Sequence, residues 1–466
     1  MNQFIAFPFF TFFAAANAVI VLKQKTLERI CLSAAIISAP WMGGVWIKPI
    51  KFDFRISYIF LYAAFALLYG KSKHFKYNIK YSVIFPTVSL IFWSTLTSLQ
   101  ALDSALAFGG APAVYFTHLL YFYTVFMAVR KDCNVDYIFK SLFLGLFYTS
   151  LLALIQYKIR FFNIGFIDRG YYTAMFWRPR STFYHPNSYG FYQLLVLPIL
   201  FRQIIIMLKS KKNKLGTIYS LLFLMSGFTL YATHNRGSWV GLAAGMIITT
   251  GIDFFRRGAK KTRKTVIRVL LIFCIVSIAP LIRYGPRIYE RMFAGRAAVT
   301  KKVNSRLSYN VDAYEQIRAH PFFGVGVGNL MFYSSIIFTH NLYLLILAEY
   351  GIPGFIFFLW YLAGFLRESK KAMKAKHYYV SNMGTGFMTT LIAMLIASYP
   401  GPDYGLTVQV SGHLWIIAGA CVSLNGIYRR SLKLQKSKAR QQILQQHQNE
   451  KANIEGNVTS PPLTQS

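Results

Sequence analysis

S-Y-G-F-Y-Q-L-L-V-L-P-I-L-F-R-Q-I-I-I-M-L (residues 188–208), K-S-K-K-N-K-L-G (209–216) and T-I-Y-S-L-L-F-L-M-S-G-F-T-L-Y-A-T (217–233) follow one another without a single acid. Each apolar run is long enough, at about 1.5 Å per helical residue, to cross or nearly cross about 30 Å of hydrocarbon. The lysines between them (Lys209, Lys211, Lys212, Lys214) mark a cytoplasmic turn, because short loops rich in Lys and Arg stay on that side.

The same pattern extends in both directions. Apolar runs fall near residues 4–22, 30–47, 56–70, 81–99, 113–129, 138–157, 188–208, 217–233, 236–252, 266–282, 341–366, 381–398 and 407–427. They lack the period-2 alternation of a barrel, and backbone in lipid must satisfy its own hydrogen bonds, so they predict helices. The expected fold is an all-α polytopic membrane protein with about 12–14 spans. Residues 1–157 read as N-terminal spans and 158–428 as a functional region containing a large loop, 283–340. Residues 429–466 read as a basic cytoplasmic tail, disordered because it has few apolar residues to bury.

Composition agrees with a membrane protein: 55% of the 466 residues are hydrophobic and 17% aromatic. The formal charge of +36 would suggest nucleic acid in a soluble domain. Here much of it lies in short loops, where it orients spans and meets anionic headgroups, and no nucleic-acid module is visible. Cys31, Cys133, Cys274 and Cys421 are scattered, so neither a disulfide framework nor a zinc site is indicated.

Alternation of sides places the loop from Arg283 to Thr339 outside, although it holds eight Lys or Arg residues and three acids. Charge kept there against the usual trend points to an anionic ligand. Four segments could carry chemistry. In R-P-R-S-T-F-Y-H-P-N, residues 178–187, Arg178 and Arg180 can each fork two N–H donors onto a phosphate; snorkelling at the headgroups accounts for them equally well. In T-H-N-R-G-S-W, residues 233–239, two spans meet with almost no loop, which holds Arg236 at the membrane boundary.

The third segment, R-L-S-Y-N-V-D-A-Y-E-Q-I-R-A-H-P-F-F-G-V-G-V-G-N, spans residues 306–329. Its first part predicts a short amphipathic helix over 306–319 with Leu307, Val311, Tyr314 and Ile317 on one face, stopped by Pro321. G-V-G-V-G is a turn that permits close backbone approach; it does not match a dinucleotide fingerprint. The fourth, T-H-N-L-Y-L-L-I-L-A-E-Y-G-I-P-G, residues 339–354, carries His340, with Glu349 about 13 Å further along the helix. Imidazole titrates near neutrality (about 6.5), which suits His340 to accept a proton from a hydroxyl. No D-x-D, H-E-x-x-H or P-loop is present, so a diphosphate would be held by arginines and no metal or cofactor is expected.

In this order the four segments resemble the O-antigen ligase and polymerase family of bacterial envelope glycan enzymes. The family pattern is an Arg shortly before small-T-F-x-(N/H)-P-N, then an (S/x)-R-G hairpin, then h-P-h-h-G-h-G-x-G-N, then H-N-x-(Y/F)-L-x-x-x-x-E-x-G. Here it reads as residues 178–187, N-R-G at 235–237, H-P-F-F-G-V-G-V-G-N at 320–329 and H-N-L-Y-L-L-I-L-A-E-Y-G at 340–351, covering roughly 175–365. Ser181 stands where the family usually has Gly, and Asn235 where Ser is common.

The resemblance implies a helical glycosyltransferase of the type using lipid-linked sugars (GT-C-like). It would take a glycan from undecaprenyl diphosphate on the outer face of the cytoplasmic membrane and join it, with inversion, to an acceptor hydroxyl. The acceptor would be a glycan, a lipid or another envelope anchor. It also implies Arg178, Arg180, Arg236 and Arg306 as diphosphate ligands, His340 and Arg236 as catalytic groups, and Asn187, Asn341 and Glu349 as supporting residues. A transporter or flippase of an anionic or lipid-linked glycan is the alternative. Ligase and polymerase differ only in the acceptor.

Overall fold

The computed structural model describes residues 3–41, 44–47, 52–71, 81–159, 171–173, 176–183, 185–255, 296–333, 339–399, 401 and 408–458. The apolar run 266–282 and the first part of the large loop, 283–295, lie outside the described residues, as do 459–466 of the tail. The protein is a helical bundle. Its helices are α1 (Gln3–Ile20), α2 (Leu27–Ser38), α3 (Ile56–Lys71), α4 (Tyr81–Gln100), α5 (Ser104–Gly110), α6 (Pro112–Asp132) and α7 (Asp136–Lys158). They continue with α8 (Pro186–Lys209), α9 (Asn213–Ala232), α10 (Arg236–Phe255), α11 (Arg296–Ala319), α12 (Leu330–Tyr333), α13 (Leu342–Met373), α14 (Tyr378–Ser398) and α15 (Val408–Val458). Two short antiparallel hairpins interrupt the series: β1 (Gly44–Ile47) with β2 (Phe52–Arg55), and β3 (Tyr171–Thr173) with β4 (Phe176–Arg178).

Among the described residues eight helices are long and apolar enough to cross a membrane, and two shorter apolar helices cover Thr11–Ile20 and Ile56–Gly70. The expected count of 12–14 is therefore not reached there. The run 30–47 in particular is not one span. Its helix α2 stops at Ser38: Ala39 keeps helical backbone (φ −54°, ψ −37°), but Pro40 has no N–H to continue the ladder, and Gly44–Ile47 form a strand of the first hairpin. Twelve helical residues reach only about 18 Å, short of the hydrocarbon thickness. In the tail, expected to be disordered, α15 continues as a helix to Val458, exposed over residues 429–450, in keeping with its content of Lys, Arg, Gln, Leu and Ala, all strong helix formers.

Helix α8 is the centre of the bundle, almost wholly buried and packed against α7, α9, α10, α14 and α15. Lipid supplies no hydrophobic drive for helices to associate, so close approach and polar contacts hold the bundle. Both are present. Gln193 on α8 donates to the Ser226 carbonyl (2.8 Å) and the Thr229 hydroxyl (2.7 Å) of α9, and Ser150 of α7 bonds Ser226 (2.9 Å). Gly241 and Gly245 of α10 lie against Ala393 and Thr389 of α14, with Thr249 and Thr389 hydroxyls 2.7 Å apart. A Cβ at Gly241 would stand 2.5 Å from the Ala393 carbonyl oxygen.

The glycine turn expected at 324–328 has a definite task, which is to brace a break in α13. At Gly351 the backbone leaves the helix (φ 67°, ψ −174°) and Pro353 follows, which frees carbonyls that must find donors outside the helix. Val325 N–H donates to Ala348 O (2.9 Å), Gly326 N–H to Glu349 O (3.0 Å) and the Trp93 indole to Tyr350 O (2.8 Å). Gly328 N–H donates to the buried Glu349 carboxylate (2.9 Å). Asn329 ties the turn to Asp103 ahead of α5, accepting from its N–H at 2.7 Å.

Gly324, Gly326 and Gly328 all have positive φ, and a Cβ on Gly324 would fall 2.5 Å from the Glu349 backbone. Gly324→Ala combines left-handed strain with a backbone clash, so it should cost about 2 kcal/mol or more. A clearly lowered apparent melting temperature of the purified protein is the expected readout. An unchanged one would show that the turn does not brace the break.

The helix before the turn is α11, and it docks on α13. Its packed side is not the one expected from large apolar residues. Tyr309, Ala313 and Ile317 face the bundle, whereas Val311 and Tyr314 are about half exposed. The small Ala313, fully buried, allows the close approach.

Candidate active site

Residues 178–183 and 185–187 are held as a strap at one end of the bundle. Ser181 has φ 53°, a conformation glycine adopts without cost. Here hydrogen bonds offset the strain: Ser181 N–H donates to Gln156 Oε1 (2.7 Å), Gln156 Nε2 to Ser181 O (3.0 Å), and Ser181 Oγ to Thr149 O (2.6 Å). Thr182 Oγ1 bonds Pro40 O (2.6 Å) and Phe183 is buried in the core. Pro186 occupies the first turn of α8, where it lacks only an N–H that would be unpaired anyway.

Arg178 is buried and joins two of the four segments. Its Nε donates to Thr233 O (2.6 Å) and its Nη2 to Asn187 Oδ1 (2.6 Å). Asn235 Nδ2 in turn donates to Asn187 O (3.0 Å), while its Oδ1 accepts from Ser238 N–H (3.3 Å). Asn235 thus serves the N-terminus of α10 as Ser would, both being good capping residues. Gly190 makes room for it: a Cβ there would stand 3.0 Å from Asn235 Nδ2. Arg236 is the first residue of α10, exposed, with no hydrogen-bond or ion-pair partner among the described residues. Arg180 is half-buried.

His185 caps α8, its Nδ1 accepting from Asn187 N–H (3.1 Å). Burial, then the positive charges of Arg178 and Arg180, then His340 lower its pKa to about 4. It is neutral at neutral pH, and the one lone pair of that neutral ring is already spent on a backbone N–H. His185 therefore cannot serve as a base there. His340, its electrostatic neighbour, is set in a bracket: Thr339 Oγ1 donates to Asn341 O (2.7 Å) and accepts from Asn341 N–H (3.0 Å). Asn341 Oδ1 then caps α13 through Tyr343 N–H (2.9 Å) and Leu344 N–H (3.3 Å). The His340 ring lies 5.8 Å from that of Tyr309 on α11.

The first, second and fourth segments converge here, and α11 of the third lies alongside. Arg306 is on that helix, one turn before Tyr309, and its side chain lies outside the described residues. Glu349 is not in this cluster; it holds the glycine turn. Asn187 and Asn341 position their neighbours. Gln156, Thr233 and His185 also shape the site without having been singled out in the sequence. His185 stands directly before the Pro-Asn start of α8 and was open to detection, but Gln156 lies on another helix and carries no sequence signal.

An all-α, multi-pass membrane protein with basic side chains and a bracketed histidine gathered at one end of the bundle is the class these features define. Residues 221–359 are similar to the family whose model is described as O-antigen ligase. No curated protein matches the chain significantly.

Proposed function

We propose that this protein joins a glycan, carried on a polyprenyl diphosphate, to an acceptor hydroxyl at the outer face of the membrane, with inversion and without a metal. The reading is supported above all by one observation: segments distant in sequence bring Arg178, Arg180, Arg236, His185 and His340 to one end of the bundle. Arg236 and Arg180 bind the diphosphate. Arg178, with two donor directions already spent, holds the strap in place and adds its charge.

The acceptor hydroxyl gives its proton to His340 as its oxygen bonds to the anomeric carbon. The bond from that carbon to the diphosphate oxygen breaks, and the leaving group departs with the electron pair. Cations fixed where this charge develops take the place of a metal. A transporter reading has less support, because the carbonyls freed at the Gly351 break are already paired with protein donors.

Purified protein given lipid-linked donor and hydroxyl acceptor should form a new glycosidic bond. Movement of labelled donor across liposomes without any bond formation would reject the proposal. The assignment of sides has its own test. Single cysteines at Ser305 and Ser437, in a chain lacking the native four, should react oppositely with an impermeant maleimide in intact cells, Ser305 labelled and Ser437 protected; equal labelling would overturn it.

A further inference from the structure

At the end of the bundle opposite the candidate active site, a groove of about 670 Å³ opens between the end of α1, the first half of α7 and the first half of α9. That volume lies within the range of about 300–1,000 Å³ typical of small-molecule sites. Its walls are apolar side chains such as Phe143, Phe147, Leu222 and Met225, except for Tyr219 and two lysines, Lys23 and Lys140. The two lysines are exposed and have no hydrogen-bond or ion-pair partner among the described residues.

The acids that could neutralise them are engaged elsewhere. Glu28 is paired with Lys131, Asp132 with Arg29 (2.8 Å), and Asp136, one helical turn before Lys140, accepts from the Tyr379 hydroxyl (2.6 Å). Lys211, Lys212 and Lys214 at the start of α9 add more positive charge at this end. A hydrocarbon-lined groove with two uncompensated ammonium groups is complementary to a molecule with an anionic head and apolar chains.

We infer that this groove is a binding site for one anionic phospholipid, its phosphate on Lys23 and Lys140 and its acyl chains along α7 and α9. The occupant belongs to the leaflet opposite the proposed chemistry, which separates it from the glycan donor. Bound there, it would fill the space between α1 and α9 and fasten the N-terminal helix to the rest of the bundle.

The test uses the full chain, purified in detergent and titrated with phosphatidylglycerol or phosphatidylcholine of matched acyl chains, with adducts counted by native mass spectrometry. One phosphatidylglycerol should be held about thirtyfold more tightly by the wild type than by the Lys23→Gln/Lys140→Gln variant, about fivefold for each surface-level lysine. Phosphatidylcholine adducts should be alike in both. Ile218→Trp, which fills the groove and keeps both lysines, should lose the same adduct. Equal phosphatidylglycerol binding by variant and wild type, or equal retention of both lipids by the wild type, would reduce the groove to ordinary annular contact and overturn the inference. Preferential capture of undecaprenyl phosphate would overturn the phospholipid assignment.

Discussion

His340→Gln should lower glycan transfer by about 10²–10⁴-fold while leaving binding of the lipid-linked donor intact, since the arginines proposed to hold the diphosphate are untouched. Glutamine can still form hydrogen bonds at that position but cannot take up a proton. The loss should therefore appear in a single turnover, with donor affinity close to that of the wild type. Acid should mimic the substitution: only neutral imidazole accepts a proton, so the wild-type rate should fall as pH is lowered while the His340→Gln residual rate stays flat. A variant that keeps wild-type turnover, or a wild type with no acid limb, would remove His340 as the base. His185 offers no substitute, because its pKa near 4 and its bond from Asn187 leave it without a usable lone pair.

The second large effect is expected at Arg236, where even the conservative change to Lys should be severe. A guanidinium presents a planar fork to a phosphate, whereas an ammonium is a point charge on a flexible stem. Losing a preorganised contact to the leaving group should raise the barrier by about 2–4 kcal/mol, a fall in rate of on the order of a hundredfold or more. Arg178→Lys should behave differently. It breaks the link between Thr233 and Asn187, so its apparent melting temperature should fall along with activity, whereas Arg236→Lys should keep the wild-type value. Wild-type transfer by Arg236→Ala at equal abundance would remove Arg236 from the mechanism and make it a plain interfacial membrane anchor.

Several local features were legible because they depend on chain-local physics. Pro186 and Asn187 announce the start of α8, and Pro321 the end of α11. The spacing of G-V-G-V-G announces a turn that only glycine backbone can follow. Ser181 was legible only in part: as a departure from the family's usual glycine it marks a left-handed position, but the Gln156 and Thr149 bonds that make Ser tolerable come from α7. Likewise Val311 and Tyr314 have the right period for a buried face, yet the side of α11 that meets α13 was decided by where the small Ala313 permits approach.

The sequence by itself determined the membrane class, the approximate bounds of most apolar helices and four segments as candidates for the chemistry. Hydrocarbon thickness, helix rise and loop charge act on contiguous residues and leave a contiguous trace. The partition of roles among those residues was decided by tertiary structure. That Arg178 is a brace and Arg236 is exposed with no partner among the described residues, that Glu349 serves the glycine turn and that His185 is a cap follow from contacts between helices far apart in the chain. A buried donor or acceptor takes whichever partner the packing brings within about 3 Å, and that distance is not written in any single segment.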